Sequence, residues 1–168
     1  MPTTPADLLA RLAALGITGP TVRHAAVFTV EQSMAVHADV PALREGTHIK
    51  NLFVRNRREE MWLVVAEARR RVDLKWLGER TGAGKLSFGS AERLMRTLGV
   101  RPGSVTPFAL VNDTARAVRL AVDRAVLEAP VLWCHPLVNT MNTRLTGAEL
   151  RRFFDATGHQ PLAIDFEA

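Results

Sequence analysis

The chain has 168 residues, 47% hydrophobic and 23% charged, with one cysteine and a net charge of +5. That length suits a single domain, read here as residues 1–168, with one sizeable core. No apolar run reaches the roughly 20 residues of a membrane helix, and one cysteine rules out an internal disulfide. The absence of a secretory leader pattern at Met1–Asp7 makes the cytosol the expected compartment, and the basic balance is compatible with a polyanionic partner.

In chain order, Ala6–Leu15 places Leu8, Leu9, Leu12 and Leu15 at helical spacing, and Gly16 stops it. Thr21–Val30 reads as a short strand and its exit, and Glu31–Ala38 as one or two helical turns. Asn51–Val54 and Met61–Val65 are apolar strands joined by the polar connection Arg55–Glu60. Asp73–Gly82 and Ser90–Gly99 read as helices, the second with Ser90 as N-cap and Gly99 just past its end. Phe108–Val111, Val118–Val122 and Val131–Cys134 read as strands, Thr146–Gly158 as a helix and Leu162–Phe166 as a closing strand. Irregular alternation with short links predicts an α+β fold: a mixed, mostly antiparallel sheet or partly closed barrel surrounded by helices.

Several chemical patterns fail on inspection. Gly82-Ala83-Gly84-Lys85 lacks the first glycine of a phosphate loop and carries Leu86 where a Ser or Thr is needed, so it reads as a turn. Cys134 and His135 are adjacent on a strand and point to opposite faces, so they do not form a nucleophile pair, and Cys134 reads as a buried thiol. His24, His37, His48, His135 and His159 show no metal-ligand spacing; no metal and no cofactor are expected.

Three segments carry more. Arg101-Pro102-Gly103-Ser104-Val105-Thr106-Pro107-Phe108 sets a Gly-Ser pair between two prolines, a stiff loop able to turn backbone N–H groups toward a ligand. Lys50-Asn51 stands at the mouth of a strand, where an ammonium and an amide can hold a phosphate and a carbonyl. His135 ends an apolar strand before Pro136, with Asn139 and Thr140 beyond; such a histidine serves as a base, a donor to substrate or a structural group.

Together Val27–Glu31, Lys50–Phe53, Trp62–Val65, Lys85–Phe88, Leu98–Val100, Gly103–Phe108, Asn112-Asp113 and His135–Thr140 resemble the YbaK/ProRS-insertion superfamily of aminoacyl-tRNA editing domains. Within it the chain is most similar to the free-standing ProXp-ala or PrdX-type branch, from about residue 20 onward. It departs from the family at Arg23-His24-Ala25, where Glu-His-Pro is usual. The resemblance implies hydrolysis of the ester of mischarged tRNA, Ala-tRNA(Pro) first, with prolyl-tRNA synthetase as a further partner. It leaves open Cys or Ser as the amino acid removed, and a non-catalytic tRNA-binding module of the same fold. It implies that Lys50 holds the terminal phosphate or ribose and Asn51 the aminoacyl group. The amides of Gly103 and Ser104 would face the ester, and His135 would anchor substrate. Phe28, Thr29, Val105, Thr106, Pro107 and Asn139 are the implied substrate-binding residues.

Overall fold

Polar side chains ahead of the helices supply the acceptors that first-turn amides lack, and this fixes where the helices of the computed structural model begin. The structure describes residues 2–167. Helix α1 (Pro5–Ala14) starts behind Thr4, whose hydroxyl accepts from the Asp7 N–H, and buries Leu8 and Leu12. Helix α2 (Val30–Asp39) starts behind Thr29 and buries only His37. Helices α3 (Leu74–Thr81) and α4 (Ala91–Leu98) start behind Asp73 and Ser90 and end on Gly82 and Gly99 in left-handed backbone. The short α5 (Arg124–Leu127) is capped by Asp123. Thr146 and Glu149 cap each other reciprocally at the start of α6 (Gly147–Thr157).

The strands are β1 (Thr21–Arg23), β2 (Thr47–Arg55), β3 (Met61–Glu67), β4 (Ser87–Phe88), β5 (Val118–Asp123), β6 (Leu132–Cys134), β7 (Met141–Leu145) and β8 (Pro161–Ile164). They form one mixed sheet in the order β1-β7-β6-β2-β3-β5-β8, with β4 also paired to β2. Four pairings are antiparallel and three parallel, so parallel pairing takes a larger share than short links alone suggest. The parallel pairs β3–β5 and β5–β8 each have helices in their connections, as such crossovers require.

The two-residue alternation of β2 and β3 divides the apolar side chains between two clusters. Phe53, Leu63 and Val65 join Leu120 and Val122 in the larger one, beneath α1, α4 and α6. Val54, Trp62 and Val64 join Ala121, Leu77, Leu86 and Ile164 in the smaller one.

One detail of the sheet makes room for a site. On one edge β2 pairs β3 from Ile49 to Arg55. On the other edge β6 takes only Thr47 and His48, and β4 takes only Val54 and Arg55. Between them, residues 49–52 have no strand partner on that edge among the described residues.

Several elements differ from the sequence reading: the short α5, β4 and the 3-10 turn Pro41–Leu43 were not expected, and two further differences bear on the core. Phe108–Val111 is not a strand but lies in the 3-10 helix Pro107–Asn112, capped by the Thr106 hydroxyl on the Phe108 N–H. The run is buried throughout, so it has no polar face from which a period could be read. Strand β7 lies in Met141–Leu145, which the sequence reading left unassigned; its central Asn142 and Thr143 are polar yet buried, each held by a hydrogen bond. Cys134 is buried in the larger cluster, and burial pushes its thiol far up in pKa, so it acts as a small apolar side chain.

Candidate functional site

A cavity of about 190 Å³ opens at the unpaired stretch of β2. Its walls bring together Lys50 and Asn51 from β2, Gly103 and Val105 from the Pro-bracketed loop, His135 from the end of β6, and Phe28 and Thr29 from the lead into α2. These seven were expected at the site from sequence. Val27, Val30, Ser33 and Ile49 complete the lining; Val27 and Val30 stand in a segment that carried the resemblance, whereas Ser33 and Ile49 are common residue types in no motif.

Lys50 and Asn51 are adjacent, so β2 sends them to opposite faces of the sheet. Lys50 shares its face with Val54 and donates from Nζ to the carbonyl oxygen of Arg70. Arg70 is itself held: its Nε donates to Asp123 at 3.0 Å and its guanidinium pairs with Glu167 at 3.3 Å. Asp123 is almost fully buried and also accepts from the N–H groups of Glu67 and Ala125. Lys50 thus rests on a braced carbonyl, with further ammonium N–H groups free to meet a ligand.

The loop is built around Gly103, whose φ of 89° lies in left-handed backbone. A Cβ there would stand 3.1 Å from the Phe28 ring. The Ser104 N–H donates to the Arg101 carbonyl at 3.0 Å and closes the turn. This corrects one expectation, because the Ser104 amide is already used. Among the described residues, the N–H groups of Gly103 and Val105 have no protein acceptor. Ser104 and Asn139 line a neighbouring groove on the far side of Phe28. Asn139 donates to the Val27 carbonyl at 2.8 Å, tying the Phe28 segment to the loop after His135. Thr106 and Pro107 do not reach the cavity: both are buried beneath the loop, where they start the 3-10 helix.

His135 is aimed by a sharp turn in which the Leu137 N–H donates to its carbonyl at 2.9 Å, with Leu137 at φ 71°. Its Nδ1 lies 2.8 Å from the Met141 carbonyl, which can only accept, so Nδ1 carries the proton and Nε2 keeps its lone pair. Burial holds the ring below its ordinary pKa of 6.5.

Behind the cavity lies a second, water-sized compartment that shares Ser33, Ile49, Asn51 and His135 with it. His37 and His48 enter it as a stacked pair with ring centroids 3.4 Å apart, and His24 lies 6.0 Å from His135. The sequence shows these four histidines scattered over four segments, in α2, in β2, after β1 and after β6; only the fold gathers them. Among the described residues, no three His, Cys, Asp or Glu side chains are arranged to hold a metal ion. Asn112 and Asp113, which carried part of the resemblance, belong to the scaffold. Asn112 donates to the Leu98 carbonyl and accepts from the Thr3 N–H, and Asp113 accepts from Ala117, Val118 and His159.

The comparisons agree with this geometry. The family model of the aminoacyl-tRNA editing domain matches residues 24–153. A zebrafish (Danio rerio) prolyl-tRNA synthetase associated domain-containing protein 1 is 34% identical over 155 residues, covering 91% of this chain and 82% of that protein. The prolyl-tRNA editing protein ProX of Acetoanaerobium sticklandii is 30% identical over 159 residues, covering 94% of each. A solved structure of a candidate trans-editing enzyme for prolyl tRNA synthetase superposes with a TM-score of 0.71 at 20% identity over 98% of this chain and 99% of that one. A shared fold, a cavity at the matched segments and full-length similarity lead to one conclusion: the chain belongs to the aminoacyl-tRNA editing domain family.

Proposed function

We propose that the protein is a free-standing deacylase that hydrolyses the aminoacyl ester of mischarged tRNA(Pro), with Ala-tRNA(Pro) as its substrate. The observation that carries this reading is the convergence of Lys50, Asn51, Gly103 and His135 on one small cavity within a prolyl-tRNA-related editing fold. A synthetase cannot fully reject an amino acid smaller than its own, because a lost methylene contact discriminates by only about 1–3 kcal/mol. A second, small cavity solves the problem by admitting alanine and excluding the proline ring.

In the reaction a water oxygen bonds to the ester carbonyl carbon, the bond from that carbon to the ribose oxygen breaks, and the water's proton ends on the ribose hydroxyl. The ester is already activated, so no protein nucleophile is required, and the buried Cys134 supplies none. The Gly103 and Val105 amides are suited to the carbonyl oxygen as its charge grows; one such donor contributes about 2.7–4 kcal/mol to the transition state. Lys50 holds the terminal phosphate or ribose, and the vicinal ribose hydroxyl assists the water. His135 anchors the aminoacyl group through its neutral ring. Prolyl-tRNA synthetase is the natural neighbour of such an activity, and the cytosol its place.

The test is deacylation of Ala-tRNA(Pro) and Pro-tRNA(Pro) by the wild type and by Lys50→Ala. The expected result is release of alanine alone, with the variant slowed at least about tenfold. A wild type that spares Ala-tRNA(Pro), or a fully active Lys50→Ala, sinks the assignment.

A further inference from the structure

Near the β8 end of the sheet lies a cavity of about 330 Å³ that shares no residue with the one at β2. It exists because β8 starts late. Strand β5 pairs β3 from Val118 onward, whereas β8 joins β5 only from Leu120. Val118 and Arg119 therefore have no strand partner on the β8 side among the described residues. Trp62, Arg116 and Arg119 form one part of the wall, and Gly158 and Gln160, at the exit of α6, form another. No carboxylate lines it.

Two of its donors lack acceptors. The Arg116 guanidinium makes no hydrogen bond or ion pair among the described residues. It is nevertheless held in place. Its backbone turns at φ 55°, a left-handed conformation that a bulky residue keeps only when its surroundings impose it. The imposing group is Asp113, whose carbonyl accepts from the Arg116 N–H at 3.0 Å. The buried Asp113 carboxylate accepts from the Ala117 and Val118 N–H groups and meets the His159 ring. The guanidinium itself lies against Gly158, where a Cβ would overlap it. That glycine ends α6, and the carbonyl end of a helix favours a cation beside it. Trp62 is 5% exposed, and its Nε1–H is buried with no acceptor. Arg119 stands over the Trp62 ring at 5.7 Å and is steadied by Glu60. A buried donor without an acceptor is costly, and a fixed guanidinium near it calls for an anion rich in oxygens.

We propose that this cavity is a second anion site that takes a phosphate group. Arg116 is its charge partner and the Trp62 indole N–H a further donor. The guanidinium fork matches two phosphate oxygens at once. The cavity has room for more than a bare ion, so the phosphate arrives on a larger body, an RNA backbone or a free nucleotide. Strand β5 lies two strands from β2, so the site adds a binding contact and no catalytic group. It does not depend on the deacylase reading.

Proton–nitrogen NMR reads the site directly, because each of the three tryptophans gives its own indole signal. Trp133, whose Nε1–H already donates to the Glu45 carbonyl at 2.8 Å, is the internal control. Inorganic phosphate, AMP, uncharged tRNA(Pro) and acetate are titrated into the wild type and into Arg116→Gln, an exposed position whose change leaves the core intact. The Trp62 signal should move and saturate with the phosphate-bearing probes while Trp133 stays still. In Arg116→Gln the affinity should fall about tenfold or more, the loss of one charge-assisted contact. Saturation by AMP at lower concentration than by tRNA(Pro) marks a free nucleotide as the ligand, and the reverse order marks the RNA backbone. A Trp62 signal unmoved by every phosphate probe at millimolar concentration overturns the site. So does an equal response in Arg116→Gln, or an equal response to acetate. The readout is binding, so the site stands or falls apart from any deacylation.

Discussion

The Nδ1 of His135 donates to the carbonyl oxygen of Met141 across 2.8 Å, and this single bond fixes which ring nitrogen can serve a ligand. Met141 opens β7 and His135 follows β6, so the pairing of those two strands sets the tautomer.

The first prediction follows from that ring. Burial lowers the His135 pKa from 6.5, so the neutral, lone-pair form persists as the pH falls through 6.5 and is lost only below it. Deacylation should therefore show an acid limb below pH 6.5 in kcat/KM, and His135→Ala should lack it while retaining a residual rate. A limb centred at or above pH 6.5 in the wild type contradicts this reading.

His37 ties acid stability to the same region. Its pKa is lowered from 6.5 to about 3 by burial, then by the neighbouring His48, His24 and His135. The unfolded chain protonates this histidine near pH 6.5 while the folded chain does not, so the stability it contributes is present above pH 6.5 and declines as pH falls toward 3. Melting temperatures should drop between pH 6.5 and 5, before most carboxylates titrate, and His37→Phe should flatten that part of the curve.

Gly103 answers two demands at once. At φ 89° a side chain is strained, and a Cβ would press on Phe28 at 3.1 Å. Gly103→Ala should lose about 1–3 kcal/mol by thermal melting. It should also lower kcat/KM by at least about tenfold as the amide shifts from the ester. An active, fully stable Gly103→Ala would remove the loop from the mechanism.

The brace under Lys50 is testable from a distance. Asp123 accepts three hydrogen bonds, from Glu67, Arg70 and Ala125, while nearly fully buried. Asp123→Ala should cost about 2–3 kcal/mol of unfolding free energy in denaturant. With Arg70 released, the carbonyl that seats Lys50 loosens, so KM for the tRNA substrate should rise more than kcat falls. Equal losses in both would place Asp123 in the scaffold alone.

A net charge of +5 and a polyanionic substrate imply competition with salt. KM for tRNA should climb between low and moderate salt, while cleavage of a short aminoacyl-adenosine ester should change little. Parallel salt responses for the two substrates would argue that the basic surface takes no part.

Much of the site was legible in the sequence. Lys50, Asn51, Gly103 and His135 stand in motifs whose residue types restrict the backbone or carry a transferable proton, and the cavity unites all four. Thr106 and Pro107 sit in the same motif as Gly103 but turn inward, because a cap and a helix-starting proline serve the chain that follows them. The sheet was harder. The buried polar strand β7 carries no alternation, and the buried run at Phe108 carries no period at all.

Local chemistry by itself determined the helix starts, the left-handed glycines and the stiff loop. Those features depend on residues within a few positions of one another, where capping, φ restriction and alternation act directly. Only the tertiary structure decided that β6 and β4 leave residues 49–52 uncovered, that Ser104 spends its amide on Arg101, and that His37, His48 and His135 share a wall. Those facts rest on strand partners and packed side chains far apart in sequence. A lone histidine carries no trace of the three others it will meet.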